Sequence, residues 1–408
     1  MPGALRFALG VAWCLLPVGV AGAQAATPPG GRPDDERDGM APASGRDLRV
    51  ALSGYVQVDG RWVSGPQTRA PDGLLLRRAR LVFDASSPDG WHLRLQPDFG
   101  QGRVQVQDAY VGFVRHGITA RAGRFRPAFG TERMQSSSTL LAPERGIVNS
   151  LMPSRNFGAQ FMLERGPWRL AAGGFRTPIG SDVASIDTDG DINATAGTGH
   201  DLLLRVAHVR EQGGRYVEMQ SGALWGRERG TVDAPALSRV LSVAQQPILT
   251  FVDDGTPTGT ARAAGARARL TSGALIGTRR HVLALEGAWF AQRVAHGGVE
   301  RTPVVGAGTL RFARVWHGER ARSQDVVPAS ARGALDVGVR AGFVRAWGEG
   351  LRSIITRNSV SSARTVGVAM SWVPTRLTRA TVSYDLTERR SNRTQPEHAL
   401  HVRWQQGF

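Results

Sequence analysis

The chain has 408 residues, 41% hydrophobic and 21% charged, with one cysteine, 51 glycines and a formal net charge of +17 carried on the basic side by arginine alone. That length and balance exclude a wholly disordered chain and leave room for two ordinary domains or one large closed barrel. A single cysteine excludes a disulfide scaffold, and after residue 25 no run of 18 apolar residues exists for a spanning helix.

Arg6 is the only charge in the first 25 residues. The apolar stretch from Phe7 to about Val20 is followed by Ala21-Gly22-Ala23-Gln24-Ala25. A basic start, a short apolar stretch and small residues at the cut read as a secretory signal peptide over residues 1–25. Cys14 lies inside it, with bulky Trp13 before it where a lipoprotein signal requires a small residue. Residues 26–46, with Pro28-Pro29-Gly30-Gly31 and Asp34-Asp35-Glu36-Arg37, read as a disordered polar linker on the periplasmic side.

From residue 47 onward apolar and polar residues alternate with period 2. Val56 and Val58 alternate with Gln57 and Asp59, and Trp91, Leu93 and Leu95 with His92, Arg94 and Gln96. The same pattern recurs at Leu335–Val339, at Val366–Trp372 and at Val382–Leu386. The last segment places Leu400, Val402, Trp404 and Phe408 on one strand face and His401, Arg403 and Gln405 on the other. One apolar and one polar face on strand after strand suits a wall between lipid and a wet lumen. A terminal aromatic is also the usual end of bacterial outer-membrane barrels.

Short connections such as Val373-Pro374-Thr375-Arg376 contrast with long polar gaps near 178–200, 227–262, 296–305 and 317–333. Trp91, Trp225, Trp289, Trp372 and Trp404 fall at or near strand ends, as girdle residues would. Strand arithmetic gives roughly 14 to 18 strands, and sixteen is the expectation: an all-β transmembrane antiparallel β-barrel over residues 47–408. The competing fold is a soluble all-β sandwich or propeller.

The most informative block runs from Gly123-Arg124-Phe125-Arg126-Pro127-Ala128-Phe129-Gly130-Thr131-Glu132 through Gln135-Ser136-Ser137-Ser138 and Glu144-Arg145 to Arg155-Asn156-Phe157-Gly158. Upstream stand Arg77-Arg78-Ala79-Arg80-Leu81 and Asp108-Ala109-Tyr110. In order and spacing over about residues 74–161, this resembles the phosphate-selective porin O and P family.

The resemblance implies a sixteen-stranded homotrimeric outer-membrane channel with an inward-folded third loop and anions held at the narrowing by arginines and small hydroxyls. Carried onto this chain, the infolding loop is about residues 132–149. Arg133, Ser136, Ser137 and Arg145 become constriction candidates, with Arg78, Arg80 and Asp108 on the adjoining wall. The family's best-studied anion channels also line the lumen with lysines; here arginine must take that role.

The chemistry stands beside the resemblance. A narrow pore ringed by arginine lowers the barrier for anions and raises it for cations. The guanidinium fork holds phosphate in two bonds while serine hydroxyls donate to its other oxygens. Asp108 fits such a site if it orients an arginine. Strict alternation puts Arg78 and Arg80 on one face and Arg77 on the other.

Other patterns point elsewhere only weakly. Asp187-Thr188-Asp189-Gly190-Asp191 departs from a calcium loop in its glycine position and in Thr198 where a glutamate belongs. The nine histidines have no metal-ligand spacing, and no nucleophile motif surrounds a serine. The expected function is passive diffusion of anions, phosphate or a related oxyanion first. A general or differently specific porin and a structural or adhesive barrel are the alternatives. Outer-membrane lipid and lipopolysaccharide are expected neighbours; no enzyme activity, cofactor or nucleic-acid partner is expected.

Overall fold

A computed structural model describes residues 48–65, 72–176, 198–390 and 396–408. The expected signal peptide and linker and the 187–191 segment lie outside the described residues. Sixteen long strands make one antiparallel barrel. They are β1 Arg49–Ser64, β2 Gly73–Ser86, β3 Trp91–Asp98, β4 Gln105–Arg115, β5 Ile118–Phe125, β6 Asn156–Arg165, β7 Trp168–Arg176 and β8 His200–Gln212. The ring continues with β9 Arg215–Arg229, β10 Arg262–Thr278, β11 His281–His296, β12 Val304–Trp316, β13 Ala334–Trp347, β14 Ser362–Val373, β15 Thr378–Arg389 and β16 Glu397–Gly407.

Each strand pairs with the next, and β16 closes on β1 from Tyr55↔Gly407 to Ser64↔His398. Phe408 extends this seam by exchanging backbone bonds with Gly54. Closure removes the free edges that would otherwise be unpaired in hydrocarbon.

The burial pattern is inside out. Val56, Val58, Leu93, Leu95, Leu202, Leu204, Val366, Val368, Leu400 and Val402 are exposed on the outer face, while Gln57, Asp59, Arg94, Gln96, Thr381, Asp385 and Arg403 are buried inside. Such a surface is stable only against lipid. Exposed tryptophans form two belts. Trp91, Trp168, Trp316, Trp372 and Trp404 lie at the short-turn end, and Trp62, Trp225 and Trp347 lie toward the other end. Trp289 departs from the expectation: it sits mid-strand in β11 and is only half exposed.

Short turns gather at the end shared with the chain's carboxyl terminus, the periplasmic end in this class of barrel. His116-Gly117 and Gly213-Gly214 make two of them with positive φ at both residues (51° and 77°; 58° and 73°), the two-residue geometry that matches strand twist. Connection 317–333 breaks the rule. Sequence reading grouped it with the long loops, yet it joins β12 to β13 at the short-turn end and carries its own hairpin, Gly318–Arg320 against Val326–Pro328.

At the opposite end, loop 230–261 folds over the mouth. Its Ile248 and Leu249 pack with Ile147, Val148 and Leu151 of loop 126–155 and with Ile354 and Ile355 of loop 348–361 in one apolar cluster. Farther along, Asp254 accepts bonds from the Thr256 amide and hydroxyl, which hold its carboxyl below the usual range.

Candidate functional site: loop 126–155 and the chamber beneath it

Loop 126–155 leaves β5 through Pro127 and a sharp bend at Gly130 (φ 83°). A Cβ there would lie within 3.0 Å of the Met152 sulfur and a Glu286 oxygen, so only glycine lets the chain turn inward at this point. The short helix α1, Thr131–Met134, follows. Its free Thr131 and Glu132 amides donate to Glu286 of β11, and Gln220 of β9 donates to the Thr131 hydroxyl. The orphaned donors of a helix start are thus satisfied by the barrel wall.

The next stretch is held from the opposite wall. Gln57 donates to Ser137 O (3.2 Å), Gln405 to Ser138 O (3.3 Å), Arg379 to Leu140 O (3.0 Å) and Ser371 to Leu141 O (3.1 Å), and Arg340 donates to Glu144 O. All five donors face inward on β1, β16, β15, β14 and β13. The loop therefore lies across the lumen, its carbonyls taking the donors that a water-filled pore would otherwise solvate.

Most inward arginines are engaged in cross-strand ion pairs. Arg80 meets Asp98 (2.7 Å), Arg94 meets Asp84 (2.8 Å), Arg267 meets Asp201 (2.7 Å), Arg340 meets Asp385 (2.8 Å) and Arg403 meets Asp59 (2.6 Å). A guanidinium satisfied by a carboxylate has little left for a passing anion.

The seven candidate residues from the sequence do not share one surface. Arg78 donates to Gln57 (2.7 Å), and Arg80 also reaches the Ser137 hydroxyl (3.1 Å), which bonds Tyr55 (2.8 Å). These three sit where the loop is tied to the wall. Asp108 does orient an arginine: it binds Arg155 (2.8 Å) at the loop's far end. Arg133 is fully enclosed, with Nε donating to Pro153 O (3.1 Å), and Arg145 braces the Glu132 and Gln135 carbonyls. Both brace the loop from within, and neither lines the cavity beneath it.

Alternation also failed at Arg77. A β-bulge between Gln57 and Val58 pairs two residues of β1 with three of β2, so Arg77 and Arg78 both turn inward. Arg77 then reaches Glu144 of the loop (3.0 Å).

Beneath the loop, on its short-turn side, lies a cavity of about 400 Å³. Ser136 lines it, alone of the seven candidates. Its cations are Arg121, Arg169, Arg205, Arg311 and Arg322, set against Glu132, Glu164, Glu218 and Glu286. Arg169 pairs with Glu164 (3.2 Å) and Arg205 with Glu218 (3.3 Å). Arg311 touches only the Gln135 amide oxygen (3.4 Å), and neither it nor Arg322 forms an ion pair among the described residues.

Arg322 arrives on connection 317–333, whose Gln324 donates to Tyr216 (2.7 Å) and whose Asp325 meets Arg379 (3.5 Å). Sequence reading missed all five cations, because their grouping depends on cross-barrel placement. The unusual length of 317–333 was the one visible signal. Among the described residues no cluster of metal-ligating side chains exists.

Residues 50–250 match the family described as phosphate-selective porin O and P. No curated protein matches the sequence. Among solved structures, the outer membrane channel DcaP of Acinetobacter baumannii is similar over 90% of this chain and 99% of its own, at 11% identity and a TM-score of 0.59. An anion-selective porin from Comamonas acidovorans is similar over 89% and 100%, at 11% identity and a TM-score of 0.56. OprB of Pseudomonas putida is similar over 89% and 94%, at 10% identity and a TM-score of 0.54. At such identities these structures speak for the fold. Family match and closed wall agree, and by residues 50–250 the chain belongs to the phosphate-selective porin O and P family, a porin of the bacterial outer membrane.

Proposed function

We propose that this porin passes anions by passive diffusion, phosphate or a related oxyanion foremost, and that Arg311, Arg322 and Ser136 are the groups that meet the solute in the chamber. The observation that carries this reading is the pair of guanidinium groups left without a carboxylate partner among the described residues, in a cavity of about 400 Å³. Two forks and a hydroxyl match the donors an oxyanion takes, and binding through so few groups stays weak enough for release. Arg78, Arg80, Arg133, Arg145, Ser137 and Asp108 belong to the scaffold that fixes the loop.

The test is a reversal potential in a salt gradient with phosphate then added. Anion-side reversal with saturable block supports the reading, and Arg311→Ala or Arg322→Ala should each weaken both. A second reading, a general porin, is favoured by one observation: the chamber holds five arginines against four glutamates, a nearly balanced lining. It predicts a reversal potential near zero and no block.

The reading includes a homotrimer. Its support is a low stretch of wall, β3 to β7, with strands of 8 to 11 residues against 17 in β10, and small outward residues Ala120, Ala122, Ala159, Ala172 and Gly174. An unheated gel band at three times the monomer mass that collapses on boiling supports it; a monomer band alone opposes it.

A further inference from the structure

On the far side of the ring from the low wall, the outer face of β12 to β15 carries two adjoining hollows of about 450 and 1300 Å³. Both are lined by Leu310, Ala341 and Val366. Their cause is local. Ala341 lies between Leu310 on β12 and Val366 on β14 in register, so a methyl group stands between two larger side chains. Phe343 leans onto Gly308, and Trp347 onto Gly306, so both rings are drawn toward β12 and the space toward β14 stays open. Below, Phe312, Val339, Val368, Tyr384 and Leu386 continue an apolar track.

The upper end of this track is basic. Arg345, two residues above Phe343, faces outward opposite Ser362. Arg364 faces outward opposite Phe343 and Glu388. Exposed Arg390 follows β15, its amide bonded to Ser362 O (3.0 Å). All three line the larger hollow, at the long-loop end of the barrel. Neither Arg345 nor Arg364 forms an ion pair among the described residues, and Glu388 is the only carboxylate in the lining.

We infer that this face is a binding site for a phosphorylated glycolipid of the outer leaflet, the lipid A portion of lipopolysaccharide. Acyl chains lie in the track over Ala341, Val366 and Val339, and the three guanidinium groups hold a sugar phosphate at the height of the upper tryptophan belt. Charge complementarity and position select this occupant. A basic cluster immediately above an acyl-sized groove suits an anionic lipid. The long-loop end places it in the leaflet where phosphorylated glycolipid resides, and the site lies away from the low wall. The inference is independent of which solute the pore passes.

The test refolds the protein into detergent free of lipopolysaccharide, then titrates it with short-chain lipopolysaccharide and reads bound lipid by native mass spectrometry. The variants are Arg345→Ala/Arg364→Ala/Arg390→Ala; Ala341→Phe, which fills the hollow; and Arg227→Ala/Arg229→Ala, which removes two other outward rim charges. Heat-modifiable migration and unchanged conductance certify each barrel. Binding weakened at least tenfold in the first two and unchanged in the third supports the site. Wild-type binding by the triple variant overturns it, as does equal binding of dephosphorylated lipid A. Disulfide cross-linking of copies through Val339→Cys would also overturn it, by assigning the face to a second copy of the chain.

Discussion

Arg77 shows how one extra residue in a strand supplies an anchor to a loop that crosses the lumen. The bulge turns it inward, and its guanidinium meets Glu144 (3.0 Å) while Gln245 from loop 230–261 reaches the same carboxylate (3.4 Å). Arg77→Ala should leave the barrel folded and let loop 126–155 move, read in bilayers as larger and noisier single-channel currents. Unchanged current would show that the carbonyl contacts alone hold the loop. In the chamber, removing one full charge about 8 Å from a solute, at an effective dielectric of about 40, alters its energy by about 1 kcal/mol. Arg311→Ala should therefore lower anion permeability about fivefold, and less at high salt. That arginine alone carries the basic charge was legible in the sequence. Which arginines stay unpaired was not, because Arg403 meets Asp59 across 344 positions of chain, and only barrel closure sets that register.

Among the elements, the strands were the legible part. Period-2 alternation at Val56–Val58 or Val366–Trp372 needs only that one face meets lipid, and the fold obeys it. Connection 317–333 was misread because polarity and length do not tell which end of a barrel a loop leaves from; parity of strands does. Replacing residues 321–325 with two glycines removes Arg322 and the Gln324–Tyr216 contact, and should raise conductance while weakening anion preference. If neither changes, that hairpin takes no part in the pore.

The β1–β16 seam gives a stability test. Asp59→Ala leaves Arg403 buried without its carboxylate, so urea unfolding should show a loss of about 3 kcal/mol, and Asp59→Asn/Arg403→Gln should recover much of it. Equal loss in the single and double variants would mean that the pair contributes through packing alone.

At the scale of the whole molecule, charge and topology have separate roles. The net charge of +17 overstates the cationic character of the pore, since arginine after arginine is neutralised in the wall and others face the outer rim. On the proposed reading, what meets solute is the chamber between loop 126–155 and connection 317–333. On that reading this chamber makes the porin anion-preferring. The most direct measurement is the reversal potential of purified wild-type protein and of Arg311→Ala/Arg322→Ala in planar bilayers under a potassium chloride gradient. Anion-side reversal is expected for the wild type and a shift toward zero for the double variant. Identical potentials, or a wild-type potential at zero, would contradict it.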